Sequence, residues 1–197
     1  MTAGVATAPR LVLASSSPRR RDLLARIGVA PARVDAPAID ESPRHAELPR
    51  AYALRLAVEK AQAITRADDE IVLAGDTTIA LGRRILPPAD TEAVQRDLLA
   101  KLSGRRHHAL SAVCVIGLDG KARTRLADTV VVFKPLSADD IDAYIASGEG
   151  LGKAGGYAIQ GRAEAFVRFL QGSHSGVVGL PLFETRALLK SAGLPLG

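Results

Sequence analysis

The segment at residues 15–20, which reads SSSPRR, has the composition of an anion-binding site. Ser17 suits a helix N-cap, and Pro18 then takes the first helical position, where a missing N–H costs nothing. Arg19 and Arg20 fall in the first turn, where the helix dipole already disfavours cations. A bound anion would remove this conflict, because backbone amides and guanidinium groups can both donate to it. Arginines extended into water would explain the pattern equally well, so this segment alone leaves both interpretations open.

Three ionisable residues further along the chain also have types suited to phosphate chemistry. Asp76 follows an apolar run at residues 70–74 that reads as a central strand, and working residues of open α/β sheets gather where strands end. Glu41 follows a weaker strand and could share a hard divalent cation with Asp76. Lys60 borders the apolar face of a predicted helix, from which it reaches either a cleft or solvent. Taken singly, each also has an ordinary structural explanation, such as a turn aspartate or a solvated lysine.

The elements that must hold these residues alternate irregularly between strands and helices. Gly75 and the polar residues after it predict a break between two strands, and a capping box at residues 137–140 predicts the start of a helix. This order indicates an α/β (mixed α+β) fold with a central mixed sheet flanked by helices. The predicted strands span residues 11–14, 34–39, 70–74, 79–81, 109–118, 126–133 and 165–170, and the helices 18–27, 48–67, 91–102, 141–146 and 181–189.

Composition narrows the class of protein. Hydrophobic residues make up 47% and charged residues 24% of the 197-residue chain, as in ordinary globular proteins. No apolar run approaches the ~20 residues that span a bilayer, and residues 1–9 lack the features of a signal peptide. We therefore expect a cytoplasmic protein without a membrane partner. Cys114 is the sole cysteine, which excludes an internal disulfide.

The net charge of +5 has two explanations. It fits a polyanionic partner, such as a nucleic acid or a phosphate-bearing metabolite, and it fits an alanine- and arginine-rich composition equally well. Aromatic residues make up only 4% of the chain and tryptophan is absent. This composition argues against a stacking platform for single-stranded nucleic acid, and we expect no stable nucleic-acid partner.

Six segments, in their order and spacing, resemble the Maf family over nearly the whole chain. Members are nucleoside triphosphate pyrophosphatases that release a nucleoside monophosphate and pyrophosphate, and some have been linked to arrest of septum formation. The resemblance implies this activity, a divalent metal cofactor (Mg²⁺ or Mn²⁺), and a homodimer. We expect one elongated domain over residues 1–197, with two lobes around a cleft. The segments are LASSSPRR at 13–20, EKA at 59–61, AGDT at 74–77, LSG at 102–104, KAGGYAIQG at 153–161 and VGLP at 178–181.

The resemblance also implies roles for individual residues. Asp76 matches the general base that activates the attacking water, and Glu41 and Asp76 match the acidic residues near the metal. Four polar residues match the lining of the phosphate site, namely Ser15, Ser17, Arg20 and Lys60. Three more match the specificity positions of the subgroup that acts on dTTP and UTP rather than 7-methyl-GTP: Arg19, Thr77 and Gln160. Gln160 would pair with the edge of the base.

One departure from the family pattern concerns a lysine. Many members carry a phosphate-facing lysine in a Leu-Gly-Lys-Pro or Ile-Leu-Pro-Lys segment, whereas this chain has ILPP at residues 85–88. Either Arg83 or Arg84 substitutes from the preceding turn, or activity is reduced. The departure, together with the basic surface, motivates a second hypothesis, a non-enzymatic nucleotide-binding regulator of septum formation and cell division. The basic charge motivates a third and weaker one, nucleic-acid binding.

Overall fold

The computed structural model describes residues 8–196, in which a seven-stranded mixed sheet carries six α-helices. The strands are β1 (Arg10–Ala14), β2 (Arg33–Val34), β3 (Glu70–Leu81), β4 (Arg84–Leu86), β5 (Arg106–Ile116), β6 (Ala122–Phe133) and β7 (Val167–Gln171). The helices are α1 (Pro18–Arg26), α2 (Pro49–Gln62), α3 (Glu92–Leu102), α4 (Ala138–Ala146), α5 (His174–Val178) and α6 (Leu182–Ser191). The predicted mixed α/β class is confirmed.

The sheet has the order β2-β1-β3-β5-β6-β7, and β4 also pairs with β3. Strand β1 lies parallel to β2 and β3, whereas the pairs β3–β5, β5–β6 and β6–β7 are antiparallel. Alternate residues of the central strands enter two separate apolar cores, because successive side chains of a strand point to opposite faces. The sheet is therefore buried on both faces at its centre, which accounts for the continuous apolar run at residues 71–74.

Strand β3 has a gap along one edge. Strand β5 pairs with β3 from Val72 to Ala80, so β1 and β4 must share the opposite edge. On that edge β1 reaches only as far as Ala74, and β4 begins its pairing at Ile79. Residues 75–78 therefore have a strand partner on one side only. This gap is where the chain after β1 turns away from the sheet, and it opens a cleft beside β3.

Helix α2 covers one face of this region with small residues. Ala53, Ala57 and Ala61 are fully buried and recur every four residues along the helix. They pack against a core that includes Val72 and Ala74 of β3. Because alanine side chains are short, the helix lies close to the sheet, and this brings Lys60 of α2 to the gap in β3.

Several predicted boundaries are wrong, for reasons that depend on tertiary contacts. The expected break at residues 75–78 is absent, since β5 continues to pair with this stretch and β3 runs unbroken. The weak strand at 34–39 shrinks to Arg33–Val34, and the last predicted strand begins later, after the 3₁₀ turn Arg162–Phe166. Helix α2 ends at Gln62, and the short helix α5 was not predicted.

Other expectations are confirmed. The capping box that opens α4 is present, with reciprocal hydrogen bonds between Ser137 and Asp140. Across residues 8–196, no helix is long and apolar enough to cross a membrane. The expectation that residues 1–9 are not a signal peptide falls largely on residues 1–7, which lie outside the described part of the chain.

Candidate active site

A cavity of about 350 Å³ opens at the gap in β3. Its lining comes from the loop after β1, from α1 and α2, from β3, and from the segments at residues 152–160 and 177–179. The structure brings together here all nine residues that the sequence singled out. They are Ser15, Ser17, Arg19, Arg20, Glu41, Lys60, Asp76, Thr77 and Gln160.

The loop after β1 holds an arginine in place at the start of α1. Ser15 Oγ accepts hydrogen bonds from the backbone N–H of Ser17 at 3.2 Å and from Nη1 of Arg20 at 2.9 Å. Nε of Arg20 also donates to the carbonyl oxygen of Gly179 at 2.9 Å. Gly179 has φ of 146°, a conformation that favours glycine. Two hydrogen bonds, one to the adjoining loop and one to the distant Gly179, therefore fix the direction of this guanidinium.

The predicted helix start is right in position but differs in detail. Pro18 opens α1 as expected, yet the side chain of Ser17 makes no capping hydrogen bond. Burial lowers the pKa of Arg20 from its ordinary value, which the charges of Asp76 and Glu41 partly offset. No acidic side chain of the described residues forms an ion pair with Arg20. A cation desolvated without an acidic partner at a helix N-terminus is well suited to receive an anion.

Two carboxylates meet at one ammonium group on the α2 side of the cavity. Nζ of Lys60 lies 2.8 Å from Oε2 of Glu41 and 2.9 Å from Oδ1 of Asp76. Lys60 and Asp76 are buried, whereas the side chain of Glu41 is 53% exposed. Lys60 therefore compensates the buried negative charge of Asp76 while Glu41 stays accessible from solvent.

Further hydrogen bonds orient this acidic group. Oγ1 of Thr78 donates to Oδ2 of Asp76 at 3.0 Å, so each oxygen of that carboxylate has a donor. The hydroxyl of Tyr52 donates to the backbone oxygen of Glu41 at 2.7 Å and ties its loop to α2. Burial raises the pKa of Tyr52 to about 12, and the negative charges of Asp76 and Glu41 add to the effect. The Tyr52 hydroxyl consequently stays protonated and keeps donating at neutral pH.

The donor set of this acidic group fits a metal that arrives together with a phosphate ligand. No cluster of three or more His, Cys, Asp or Glu side chains that could hold an ion by itself occurs in residues 8–196. Glu41 and Asp76 supply two carboxylates side by side. Mg²⁺ is commonly held by one or two carboxylates, with waters and substrate phosphates completing its coordination.

The lining of the same cavity includes a second cationic group. Arg19 and Lys153 both line the cavity, and no acidic residue of the described chain pairs with either. Burial lowers the pKa of both side chains, and the charge of Arg19 lowers that of Lys153 further. The repulsion between two such neighbours favours an anion between them.

Lys153 also bears on the lysine missing at Pro87 and Pro88. Ala154 forms a β-bridge with Pro88, and the backbone oxygen of Lys153 accepts a hydrogen bond from Ala89. The chain thus places Lys153 directly beside the ILPP segment. Arg83 lies exposed in the turn before β4 and Arg84 lies exposed at the first position of β4. Neither lines the cavity, which argues against the alternative in which one of them substitutes for the missing lysine.

Sequence reasoning did not assign a role to Lys153, Thr78 or Tyr52. Lys153 stood in one of the six matching segments and was the one lysine there, which is a signal that could have found it. Thr78 and Tyr52 act on Asp76 and Glu41 through hydrogen bonds that no local pattern predicts.

The side chains of two neighbouring β3 residues point to opposite faces of the sheet. Asp76 points to the face that α2 covers, and Thr77 points to the other face, toward Ser111 of β5. A second, more open cavity of about 480 Å³ adjoins the first on the side of Arg19 and Gln160. The two cavities share Arg19, Lys153 and Gln160 in their linings, whereas Lys60, Asp76 and Arg20 line the first cavity alone. This shape suits an elongated ligand with a polyanionic end.

The chain is similar in sequence to known proteins over almost its whole length. The family described as Maf-like protein matches residues 10–192. A protein of Sphingopyxis alaskensis named dTTP/UTP pyrophosphatase is 70% identical over 189 residues, which cover 96% of this chain and 100% of that protein. A protein of Novosphingobium aromaticivorans with the same name is 60% identical over 191 residues, covering 96% and 95%. A solved structure of a nucleoside-triphosphatase, dITP/XTP pyrophosphatase from Mycobacterium abscessus, is 20% identical with a TM-score of 0.43, covering 66% of this chain and 76% of that one.

Proposed function

The chain belongs to the Maf-like protein family, and we propose that it is a nucleoside triphosphate pyrophosphatase that hydrolyses dTTP and UTP to the monophosphate and pyrophosphate. One observation carries the proposal. A single cavity joins a buried carboxylate, Asp76, to a helix N-terminus and three cations without acidic ion-pair partners in the described chain, Arg19, Arg20 and Lys153. The names of the relatives at 70% and 60% identity give the substrate class.

The reaction needs a water molecule activated at the α-phosphorus. Asp76 takes the proton from this water, because its carboxylate lines the cavity and is held by Lys60 and Thr78. The new bond joins the water oxygen to the α-phosphorus, and the bond from that phosphorus to the bridging oxygen breaks. The electron pair leaves with pyrophosphate, and the proton stays on Asp76 until solvent removes it.

Fixed cations stabilise the charge that builds on the leaving group. Arg20 is held by Ser15 and Gly179 before any substrate arrives, so it loses little freedom on binding. Arg19 and Lys153 line the same cavity and neutralise the remaining phosphate charge. Lys153 takes the part that the missing lysine plays in many family members.

A divalent cation, Mg²⁺ or Mn²⁺, is part of the proposal. Glu41 and Asp76 would hold it, and when bound it would neutralise phosphate charge and polarise the scissile bond. Lys60 balances the two carboxylates in the absence of the cation.

The remaining expectations are proposals of the same kind: a homodimer, a cytoplasmic location and the absence of a stable nucleic-acid partner. The hypothesis of a non-enzymatic regulator rested on the missing lysine and on the basic surface, and the position of Lys153 beside Pro88 weakens the first of these motives.

An assay of products tests the proposed function. Purified protein is incubated with dTTP, UTP and GTP in the presence of Mg²⁺ or Mn²⁺, and nucleotides and phosphates are separated by ion-exchange chromatography. We expect dTMP and UMP with equimolar pyrophosphate, and slower turnover of GTP. Release of single inorganic phosphate, or no turnover of any nucleotide, would contradict the proposal. Omission of metal with added chelator tests the metal requirement separately.

A further inference from the structure

A buried serine behind the cleft fixes the direction of one hydrogen bond. Ser111 of β5 is fully buried, and its Oγ lies 2.5 Å from the backbone oxygen of Gly176 and 3.1 Å from Oγ1 of Thr77. A carbonyl oxygen can only accept, so the single hydroxyl proton of Ser111 goes to Gly176. The contact with Thr77 must then have Thr77 as the donor.

The direction of this hydrogen bond determines whether Thr77 acts as a donor or as an acceptor toward the cavity. Its one hydroxyl proton is directed away from the cleft, into the sheet, and the lone pairs of Oγ1 are left to accept a hydrogen bond from a ligand. Thr77 lines the cavity. We propose that Ser111 is a positioning residue that makes Thr77 a hydrogen-bond acceptor, and that the site thereby selects a substrate with an N–H or O–H donor at this point.

The inference rests on the proposed function and names the chemistry behind its specificity. UTP and dTTP share two kinds of hydrogen-bond donor beyond their phosphates, namely the imide N3–H of the base and the 3′-hydroxyl of the sugar. A base without the imide proton presents an acceptor at N3, and two facing acceptors leave both unsatisfied. The cost of such a mismatch is larger than the gain from one good hydrogen bond.

The neighbouring sheet position supplies a matched control. Thr129 of β6 is also fully buried, and its Oγ1 exchanges hydrogen bonds with the backbone of Ser173, at the start of the same α5 segment. Among residues 8–196, no hydrogen bond links Thr129 to Thr77. Loss of its hydroxyl therefore disturbs the anchoring of α5 to the sheet without changing the polarity at the cleft.

The experiment compares Ser111→Ala with Thr129→Val by steady-state kinetics on three substrates: UTP, N3-methyl-UTP and 3′-deoxy-UTP. In Ser111→Ala, Thr77 can turn its proton toward the cleft. We expect the preference for UTP over the analogue that lacks the selected donor to fall by roughly three- to tenfold. A fall in the N3-methyl ratio identifies the base as the source of the donor, and a fall in the 3′-deoxy ratio identifies the sugar. Thr129→Val should leave both ratios at the wild-type value, whatever its effect on thermal stability.

A double variant separates polarity from simple damage. Thr77→Val should lose the same preference while Ser111 keeps its bond to Gly176, and adding Ser111→Ala to Thr77→Val should change the ratio no further. Equal loss of activity on all three substrates in Ser111→Ala, or a ratio unchanged in both single variants, would overturn the inference. If the wild-type protein hydrolyses none of the nucleotides, the proposed function fails; turnover with unchanged ratios removes only the role of Ser111.

Discussion

Lys60 and Asp76 form an ion pair between α2 and the stretch of β3 that is paired on one edge only, with Nζ 2.9 Å from Oδ1. Both side chains are about nine-tenths buried, and the same ammonium reaches the more exposed Glu41. A buried pair of this kind stabilises little relative to an apolar pair, but breaking it leaves an uncompensated charge. The pair therefore holds Asp76 in its orientation beside the cleft, and replacing its two members one at a time tests each of them separately.

Replacing Asp76 by Asn should abolish turnover, because the amide cannot accept the proton of the attacking water. We expect kcat for dTTP to fall by at least about 10²-fold, the usual contribution of a general base. Pyrophosphate release measures the effect, and circular dichroism checks the fold. Thr78→Val is the matched variant, since it removes one hydrogen bond to the carboxylate and keeps the base. Activity near the wild-type level in the Asn variant would remove Asp76 from its assigned role.

Replacing Lys60 by Met should lower stability and raise metal affinity together. The two carboxylates lose their shared cation, and we expect about 2 kcal/mol of destabilisation, less than for a fully buried pair because Glu41 is half exposed. The same loss frees both carboxylates for Mn²⁺. Urea unfolding and calorimetric titration of the nucleotide-free protein with Mn²⁺ measure the two effects. Weaker Mn²⁺ binding in the variant than in the wild type would show that Glu41 and Asp76 do not hold the cation.

Replacing Lys153 by Met should raise KM for dTTP and UTP by about tenfold, the order expected from one hydrogen bond to a charged group. The methionine keeps the length of the side chain and removes its charge. Arg84→Met is the control, because Arg84 is exposed at the start of β4 and does not line the cavity. An equal or larger effect at Arg84 would favour the turn arginines as the replacement for the missing lysine.

The sequence predicted which residues lie together in the cleft better than it predicted which strands and helices form that cleft. Asp76 was expected at the end of a strand, yet it lies inside β3, and the cleft exists because the neighbouring strand β1 ends at Ala74. Where a neighbour ends is a long-range property that no local pattern around Asp76 contains. Taken alone, Arg19, Arg20 and Lys60 had solvent-exposed explanations, and only the family resemblance joined them. Ser111 gave no signal at all, because a serine in an apolar strand gains its meaning from its cross-strand partner.

A buried histidine outside the cleft should make the free energy of unfolding depend on pH. His107 is fully buried, its Nε2 lies 2.9 Å from the hydroxyl of Tyr157, and the rings of Phe133 and Tyr157 meet it edge to face. Burial lowers the pKa of His107 from 6.5 to about 4. The unfolded chain therefore takes up this proton at a higher pH than the folded protein does. Stability should be fully present above pH 6.5 and fall as the pH drops from about 6.5 to about 4, by up to about 3 kcal/mol from this residue.

Urea unfolding at a series of pH values measures this loss, with His107→Gln and the exposed-residue control His45→Gln beside the wild type. The His107 variant is expected to be less stable at pH 7.5, because it disturbs a packed aromatic group, but to lose less of its stability on acidification. The His45 variant should follow the wild-type curve. If the His107 variant keeps the full wild-type pH dependence, the acid sensitivity belongs to other groups, and the buried imidazole does not control it.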